Sequence, residues 1–482
     1  MSDIKRVFIG GVIYTAIARY SGVVINLIVT AILSRLLTPN DFGIVAIAMV
    51  FITLFSILSD IGIGSAIVQK KELTNKDISS IFSATIYIAI FFAVIFFFCG
   101  NIISLFYEES ILKNICRILS IHLFFSICNI VPNGLLMRDK KFQFIAIRSL
   151  IIQLSTGAIA VICAFTNCGI YALLVSPILS SVLIFIINYI QYYIPFSFKI
   201  SILSIRKIFS YSIFQFLFSF VNYFSRNLDN LLIGKYMSMN HLGYYEKSYR
   251  FMQLPMSYIT HILTPVIHPV FSDYQNDTNR ITEMYSKIVR LLAFIGFPLS
   301  AFLFFNAKEL ILLIFGNQWN ESIFIFQLLA ISVGFQMVSS STGAIFQAAN
   351  ATKLLFIDGL LSTALILTGL LVGLFIFNDI NIIAFGISMA YIVNFFKTFY
   401  ILFIYVLRKR VSIFYSQLLM PIILGGSLAI ILFLFQTFVE ANMILAFVLK
   451  GLISAVYVVS FIHIFKIYDL YNFIRKNVFR KK

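Results

Sequence analysis

The sequence contains little charge, and acidic residues are especially few. Only 11% of the 482 residues are charged and 60% are hydrophobic, whereas an average soluble domain is about a quarter charged and half apolar. This composition excludes a soluble globular protein, and it excludes a disordered chain, which would be poor in apolar residues. The 36 basic residues outnumber the 19 acidic ones. Because they fall mostly in short loops, as membrane topology requires, we expect no nucleic-acid partner.

Motifs of catalysis and metal binding are also missing. The sequence has no Gly-x-x-x-x-Gly-Lys phosphate loop, which argues against ATP hydrolysis by this chain. Its five Cys residues show no metal-ligand spacing, and we expect neither a metal nor a cofactor. The loops are too short for an extramembrane domain that could carry catalytic acids and bases, so we do not expect an enzyme.

The sequence consists instead of a succession of long apolar stretches. A membrane-spanning helix needs about 20 apolar residues, so the sequence predicts an all-α polytopic membrane protein with about 14 transmembrane helices. Loops on one side carry most of the Lys and Arg residues, and the positive-inside rule places that side and both termini in the cytoplasm. The predicted spans are 9–34, 42–67, 78–99, 115–136, 145–166, 170–194, 209–235, 243–268, 286–306, 322–345, 355–377, 382–406, 415–436 and 444–465.

An internal repeat appears when the sequence is aligned with itself at an offset of 200 residues. Residues 33–35 then align with 233–235, and residues 42–43 with 242–243. The repeating unit is six spans, so both copies have the same orientation in the membrane, as in transporters that work by alternating access. The predicted domains are an N-lobe (1–195), a C-lobe (196–410), spans 13 and 14 (411–466) and a basic cytoplasmic tail (467–482).

Three arginines lie deep in predicted spans: Arg19, Arg226 and Arg250. A charge at mid-membrane costs about 2.5–3.5 kcal/mol on insertion scales, so we expect these side chains to face a hydrated cavity. We expect Arg19 and Arg250 to have no acidic partner at helical spacing, whereas Arg226 and Asp229 could simply neutralise each other. Guanidinium groups suit phosphates and carboxylates, which predicts an anionic cargo. The candidate substrate-binding residues are Arg19, Asn26, Asn222, Arg226, Asp229, Arg250 and Gln253.

Five other residues are candidates for gating or ion coupling. Arg148 and Asp358 occupy similar places in spans 5 and 11 and could pair as a gate. Arg148 and Lys397 could alternatively extend to the inner membrane surface. Asp60 could contact substrate, close a gate or end a helix. His261 suggests proton coupling, although a structural role is open as well.

Four stretches resemble a known family. They are AILSRLLTPNDFG at 31–43, DIGIGSAIVQ at 60–69, RNLDNLLIGKYMSMNHLGYY at 226–245 and FGNQW at 315–319. Together they resemble the Wzx and WzxC-like polysaccharide flippases of the multidrug/oligosaccharidyl-lipid/polysaccharide exporter superfamily.

The resemblance implies a protein of the bacterial cytoplasmic (inner) membrane that moves undecaprenyl-pyrophosphate-linked oligosaccharides for polysaccharide biosynthesis. It implies a V-shaped, MurJ/MATE-like fold with two six-helix lobes, two C-terminal helices and a central cationic cavity. Arg19, Arg226 and Arg250 would then hold the pyrophosphate or acidic sugars. The implied partners are the lipid-linked oligosaccharide and membrane lipids, while a polysaccharide polymerase and coupling to H⁺ or Na⁺ are open.

Two other functions remain open at this point. The first is an ion-coupled, multidrug-type small-molecule antiporter on the same fold, which would place coupling on Asp229 or Asp60. The scarcity of deep carboxylates counts against it. The second is a membrane enzyme, such as a polymerase or ligase, that acts on the same lipid.

Overall fold

The computed structural model is helical, and it contains no strand in the residues that it describes. Those residues are 2–60, 62–70, 72–198, 201, 220, 223–224, 226–272, 274 and 277–465, with the backbone alone described for 2–18, 257–270 and 272. The chain divides into two compact units, Met1–Gly243 and Tyr244–Lys482. The domain limits predicted from the sequence stay a prediction, and the tail at 467–482 lies outside the described residues.

The first unit contains eight labelled helices. They are α1 (Ser2–Leu36), α2 (Pro39–Asp60), α3 (Ile63–Gln69), α4 (Asn75–Tyr107), α5 (Ser110–Cys128), α6 (Ile130–Arg138), α7 (Phe142–Phe165) and α8 (Ala172–Gln191). Residues 226–236 are also helical.

A further helix, α9 (Met239–Ser272), begins in the first unit and continues into the second. It is followed by α10 (Thr278–Phe305), α11 (Ala307–Phe315), α12 (Glu321–Ala330), α13 (Val333–Ser339), α14 (Thr342–Ala348), α15 (Thr352–Leu371), α16 (Ile380–Ile401), α17 (Ser412–Phe438) and α18 (Met443–Ile464). Helices α15 and α16 each continue into a π-helical turn, Val372–Phe377 and Leu402–Val406.

Eleven helices among the described residues are long and apolar enough to cross a membrane. The bent pair Asn317–Ala330 and Val333–Ala348, with an angle of 49°, would be a twelfth span. The prediction of an all-α polytopic membrane protein is therefore confirmed. The count of about 14 spans stays a prediction, because the predicted span at 209–235 lies largely outside the described residues.

The predicted span at 42–67 differs from the structure, which breaks it into two helices. Helix α2 ends at Asp60 and α3 begins at Ile63. Gly62 between them has a φ of 73°, a left-handed conformation that glycine adopts without the steric penalty of other residues. The backbone N–H of Gly64 donates to Asp60 Oδ1 at 3.2 Å, so the aspartate satisfies one of the open N–H groups of α3.

The 200-residue repeat recurs in the local structure before α2 and α9. The backbone N–H of Asp41 donates to Thr38 Oγ1 at 3.3 Å, which caps the start of α2. At the equivalent positions the N–H of His241 donates to Ser238 Oγ at 3.2 Å, which caps α9. Hydroxyl caps of this kind satisfy the first N–H groups of a helix. The two copies therefore share backbone geometry as well as sequence.

Two glycines at equivalent positions allow α2 to touch the first turn of α9. A Cβ atom on Gly43 would lie 1.9 Å from the carbonyl oxygen of Met239, and one on Gly243 would lie 2.0 Å from that of Pro39. Both distances are far below van der Waals contact. The contact is reciprocal, because Pro39 and Met239 are equivalent in the repeat, as are the glycines. Small residues commonly permit such close approach between membrane helices.

We predict that Gly43→Ala destabilises the protein. The added methyl group would meet backbone, which cannot move aside as a side chain can, so we expect a loss of about 1–3 kcal/mol. Thermal unfolding in detergent would measure it. The matched control is Gly359→Ala, where a Cβ atom meets nothing within 4 Å, and which should be neutral or stabilising because alanine favours a helix. Equal melting temperatures for Gly43→Ala and wild type would contradict the prediction.

A buried ion pair joins α18 to α11 in the second unit. Lys450 Nζ lies 2.7 Å from Glu309 Oε1 and donates to the carbonyl oxygen of Phe305, also at 2.7 Å. The two side chains are only 3% and 10% exposed. A charge in this environment is tolerated only with its partner present. The pair therefore fixes the last described helix to the rest of its unit.

We predict that removing one partner of this ion pair lowers the stability of the protein more than replacing both partners does. Lys450→Met and Glu309→Gln should each lose about 3–5 kcal/mol, because each leaves one buried group without its partner. The double variant Lys450→Met/Glu309→Met should recover most of that loss. The measurement is again thermal unfolding in detergent. Single variants as stable as wild type would show that the pair is dispensable.

Candidate functional site

Arg19 is the central residue of α1, a helix of 35 residues. At 1.5 Å per residue it lies about 25 Å from either helix end. Its side chain is exposed, and so is Asn26 seven residues later on the same face. The opposite face presents Val24 and Ile28, which are 56% and 55% exposed. One exposed face is thus apolar and suited to lipid, while the other is polar and suited to water.

Gly22, between Arg19 and Asn26 on α1, has a packing role. Gly22 is buried, and its carbonyl oxygen accepts a hydrogen bond from Gln153 Nε2 of α7 at 2.7 Å. A Cβ atom at Gly22 would lie 2.7 Å from the Gln153 side chain. The sequence analysis did not identify Gln153, although a glutamine inside a predicted span is a usable signal. This part of α1 is therefore packed at Gly22 and open at Arg19 and Asn26.

Arg226 is the first residue of the helical segment described at 226–236. It precedes the end of the helical segment 226–236 by ten residues, or about 15 Å. Its side chain is exposed, and its equivalent in the repeat is the exposed Asn26. Asp229 is half-buried and accepts a hydrogen bond from the N–H of Asn230 at 2.8 Å. Neutralisation of Arg226 by Asp229 stays open, and Asn222 lies outside the described residues.

The expectation that Arg250 has no acidic partner at helical spacing is wrong. Glu246 lies four residues earlier on α9, and its carboxylate forms an ion pair with Arg250 Nε. Residues at this spacing are neighbours on a helix surface. The Glu246 side chain is only 8% exposed, whereas that of Arg250 remains 70% exposed. A buried carboxylate thus orients an exposed guanidinium, and an anionic ligand at Arg250 would compete with it.

Aromatic contacts hold this part of α9 in place. The rings of Tyr245 and Tyr249 stack with centroids 5.7 Å apart. The hydroxyl of Tyr249 is 2.7 Å from that of Tyr391 on α16. Ser248 Oγ donates to the carbonyl oxygen of Ser322 at 3.1 Å, which adds a contact to α12. Arg250 and the half-buried Gln253 are therefore carried by a helix that is fixed on several sides.

Arg148 is buried among neutral partners in the first unit. It is 7% exposed and donates to Asn188 Oδ1 of α8. Asn188 Nδ2 in turn donates to Asn129 Oδ1 at 2.7 Å, at the break between α5 and α6. Within the described part of the chain, no carboxylate forms an ion pair with Arg148. The sequence analysis missed Asn129 and Asn188, which are asparagines inside predicted spans.

The second unit has a charged counterpart of this network. Asp358 Oδ1 lies 2.9 Å from Lys397 Nζ, and Thr398 Oγ1 donates to both carboxylate oxygens at 2.9 and 3.0 Å. Asp358 is 6% exposed. In the repeat, spans 11 and 12 correspond to spans 5 and 6, which carry Arg148 and Asn188. Asp358 and Arg148 thus each have partners inside their own unit, and the gate between them stays a prediction.

Asp60 accepts the hydrogen bond from Gly64 at the start of α3, and it also lines a small cavity. The cavity has a volume of about 270 Å³ and lies between α2 and α5, with Thr53, Ser56 and Ser126 in its lining. Asp60 is half-buried there. The side chain of His261 lies outside the described residues. The described residues contain no group of three or more His, Cys, Asp or Glu that could hold a metal ion.

Comparisons with known proteins find relatives in polysaccharide biosynthesis and a solved structure with a similar fold. Residues 32–324 match the model of a family described as polysaccharide biosynthesis protein. The teichuronic acid biosynthesis protein TuaB of Bacillus subtilis (strain 168) is 25% identical over 446 residues, 90% of each chain. The lipopolysaccharide biosynthesis protein WzxC of Escherichia coli (strain K12) is 22% identical over 383 residues, 77% of this chain and 76% of that protein. Among solved structures, the lipid II flippase MurJ in an inward closed conformation gives a TM-score of 0.74 at 18% identity, covering 94% of this chain and 98% of that one.

We predict that the two exposed faces of α1 differ in access to water. In a background without the five native cysteines, Arg19→Cys and Asn26→Cys should react with a water-soluble maleimide at least about tenfold faster than Val24→Cys and Ile28→Cys. The reason is that the reactive thiolate forms in water and not in hydrocarbon. The Val24 and Ile28 variants are matched controls, because those positions are equally open in the structure. Equal labelling rates on both faces would contradict a hydrated polar face.

Proposed function

Because the chain belongs to the polysaccharide biosynthesis protein family, we propose that it is a flippase for undecaprenyl-pyrophosphate-linked oligosaccharides. It moves these units from the inner to the outer leaflet of the bacterial cytoplasmic membrane, with both of its own termini in the cytoplasm. The names of its relatives, which refer to teichuronic acid and lipopolysaccharide biosynthesis, support a surface glycan as the cargo. The fold it shares with a lipid II flippase supports transport of a lipid-linked saccharide.

The observation that carries the proposal is the exposure of arginine side chains within predicted membrane spans. Arg19 and Arg226 are both exposed, and the sequence predicts that both lie inside membrane spans, 9–34 and 209–235. Facing lipid would cost each of them about 2.5–3.5 kcal/mol, so a water-filled surface is the favourable location. Arg250 adds a third exposed guanidinium. A guanidinium group can donate two parallel hydrogen bonds to phosphate oxygens. These arginines therefore suit a pyrophosphate headgroup that crosses the membrane.

Transport in this proposal proceeds by alternating access of the two predicted lobes, 1–195 and 196–410. The cargo site consists of Arg19, Asn26, Asn222, Arg226, Asp229, Arg250 and Gln253. Asp60, Arg148, Asp358, Lys397 and His261 are assigned to gating or ion coupling, with H⁺ or Na⁺ as the candidate ions. A polysaccharide polymerase is a candidate partner at the outer surface.

The rival function is ion-coupled export of small molecules on the same fold. Ion coupling of that kind needs a deep carboxylate that can bind and release a cation. Glu246 and Asp358 each form an ion pair with a basic side chain, so coupling of this kind would depend on Asp60 or Asp229. That arrangement favours an anionic cargo over a cationic one.

We predict that Arg19→Ala and Arg226→Ala each lower transport by about 10- to 100-fold, as expected for loss of one charged hydrogen bond to the cargo. The measurement is the outer-leaflet content of lipid-linked oligosaccharide, with surface polysaccharide, in a strain lacking the gene. Arg19→Lys should keep part of the activity. Lys353→Ala, an exposed lysine at the start of α15, is the matched control and should transport normally.

The same strains separate the alternatives. If the Arg19→Ala/Arg226→Ala protein inserts and transports normally, the cationic mechanism is wrong. Loss of dye or drug export with unchanged glycan lipids would support the antiporter instead. A change in glycan mass on incubation with the purified protein would identify an enzyme.

A further inference from the structure

A cationic cavity lies at one end of the second unit, between α10 and α17. Its volume is about 480 Å³, within the range of small-molecule sites. Three basic side chains line it, Lys287, Arg290 and Lys409, together with one acidic side chain, Glu283. None of them belongs to the candidate cargo site. The distribution of basic residues in the sequence assigns this end to the cytoplasmic side.

The cavity has a net positive charge. Lys287 Nζ lies 2.7 Å from Glu283 Oε1, so this pair is neutral as a whole. Arg290 and Lys409 are half-buried and contribute the excess. The guanidinium of Arg290 lies 5.8 Å from the ring centre of Phe294, and the backbone N–H of Lys409 donates to Phe403 at 2.8 Å. The Arg290 guanidinium is therefore held against the fold, and the backbone of Lys409 is fixed beside the cavity.

Beyond the cavity, α10 and α17 each carry exposed apolar side chains. On α10, Lys287 is followed at four-residue steps by Leu291 and Ile295, each 43% exposed. On α17, Ile413 lines the cavity and is 42% exposed, and Met420 two turns later is 37% exposed. Exposed apolar side chains on membrane-crossing helices face acyl chains. The cavity thus lies where basic groups meet a lipid-facing surface.

We propose that this cavity binds the phosphate headgroup of an anionic membrane phospholipid, with its acyl chains along Leu291, Ile295 and Met420. Arg290 and Lys409 supply the charge that the phosphate requires, and anionic lipids are attracted to such clusters at the cytoplasmic leaflet. A bound lipid would join the ends of α10 and α17. The site does not depend on the proposed transport function, because it uses other residues and is tested by binding alone.

The test is lipid binding to the full chain in detergent, followed by native mass spectrometry. Delipidated protein is titrated with phosphatidylglycerol and, separately, with zwitterionic phosphatidylcholine. We expect preferential binding of phosphatidylglycerol, and a loss of about fivefold in its affinity for each charge removed, hence roughly 25-fold in Arg290→Gln/Lys409→Gln. The control Lys76→Gln/Lys353→Gln removes two exposed charges elsewhere and should leave binding unchanged.

A gain-of-binding variant guards against a merely unfolded protein. Glu283→Gln removes the partner of Lys287 and should tighten phosphatidylglycerol binding several-fold, since a third cation becomes available. Equal affinity for the two lipids, or equal behaviour of the cavity variant and its control, would overturn the proposal. Displacement of phosphatidylglycerol by undecaprenyl pyrophosphate would assign the cavity to cargo instead. Binding of an acidic peptide that requires Arg290 and Lys409 would assign it to a protein partner.

Discussion

The cost of placing a charge in hydrocarbon is the constraint on which the rest of this structure depends. A deep charge is tolerable only when it is paired or when it faces water. Lys450 with Glu309 and Lys397 with Asp358 meet the first condition, because each pair is largely buried and in direct contact. Arg19 and Arg226 are exposed, so contact with water is the condition that suits them, although Asp229 could also neutralise Arg226. The deep charges thus fall into buried pairs and exposed arginines.

The internal repeat conserves geometry while its polar chemistry diverges. Helices α2 and α9 begin with the same type of cap, and their glycines approach each other's backbone reciprocally. In contrast, the buried link between α7 and α8 is an arginine with an asparagine, whereas that between α15 and α16 is an aspartate with a lysine. The close backbone contact limits these positions to small residues. The polar link requires only that each buried polar group has a partner, which different residue types can provide. This difference explains how one scaffold could carry unlike functions in its two copies.

Arg250, a residue of the proposed cargo site, could have two roles. Its ion pair with buried Glu246 satisfies the carboxylate, yet most of the guanidinium side chain stays open. An exposed cation that is paired with a buried carboxylate binds an anion less strongly than an unpaired cation does, because the ligand competes with the carboxylate. It would also release the anion more readily, which a transporter needs and a storage site does not.

The sequence by itself determined the all-α membrane class, most of the spans, the repeat and the family, whose match over 32–324 confirms the resemblance carried by residues 31–43, 60–69 and 226–245. These are properties of local hydropathy and short motifs, which need no knowledge of distant contacts. Even so, the local pair of Glu246 with Arg250 was missed. Only the tertiary structure decided the breaks at Gly62 and Asn129, and the partners of Arg148 and Lys450. Those partners lie 40 and 141 residues away, and a contact across such a distance depends on how helices pack, which hydropathy does not encode.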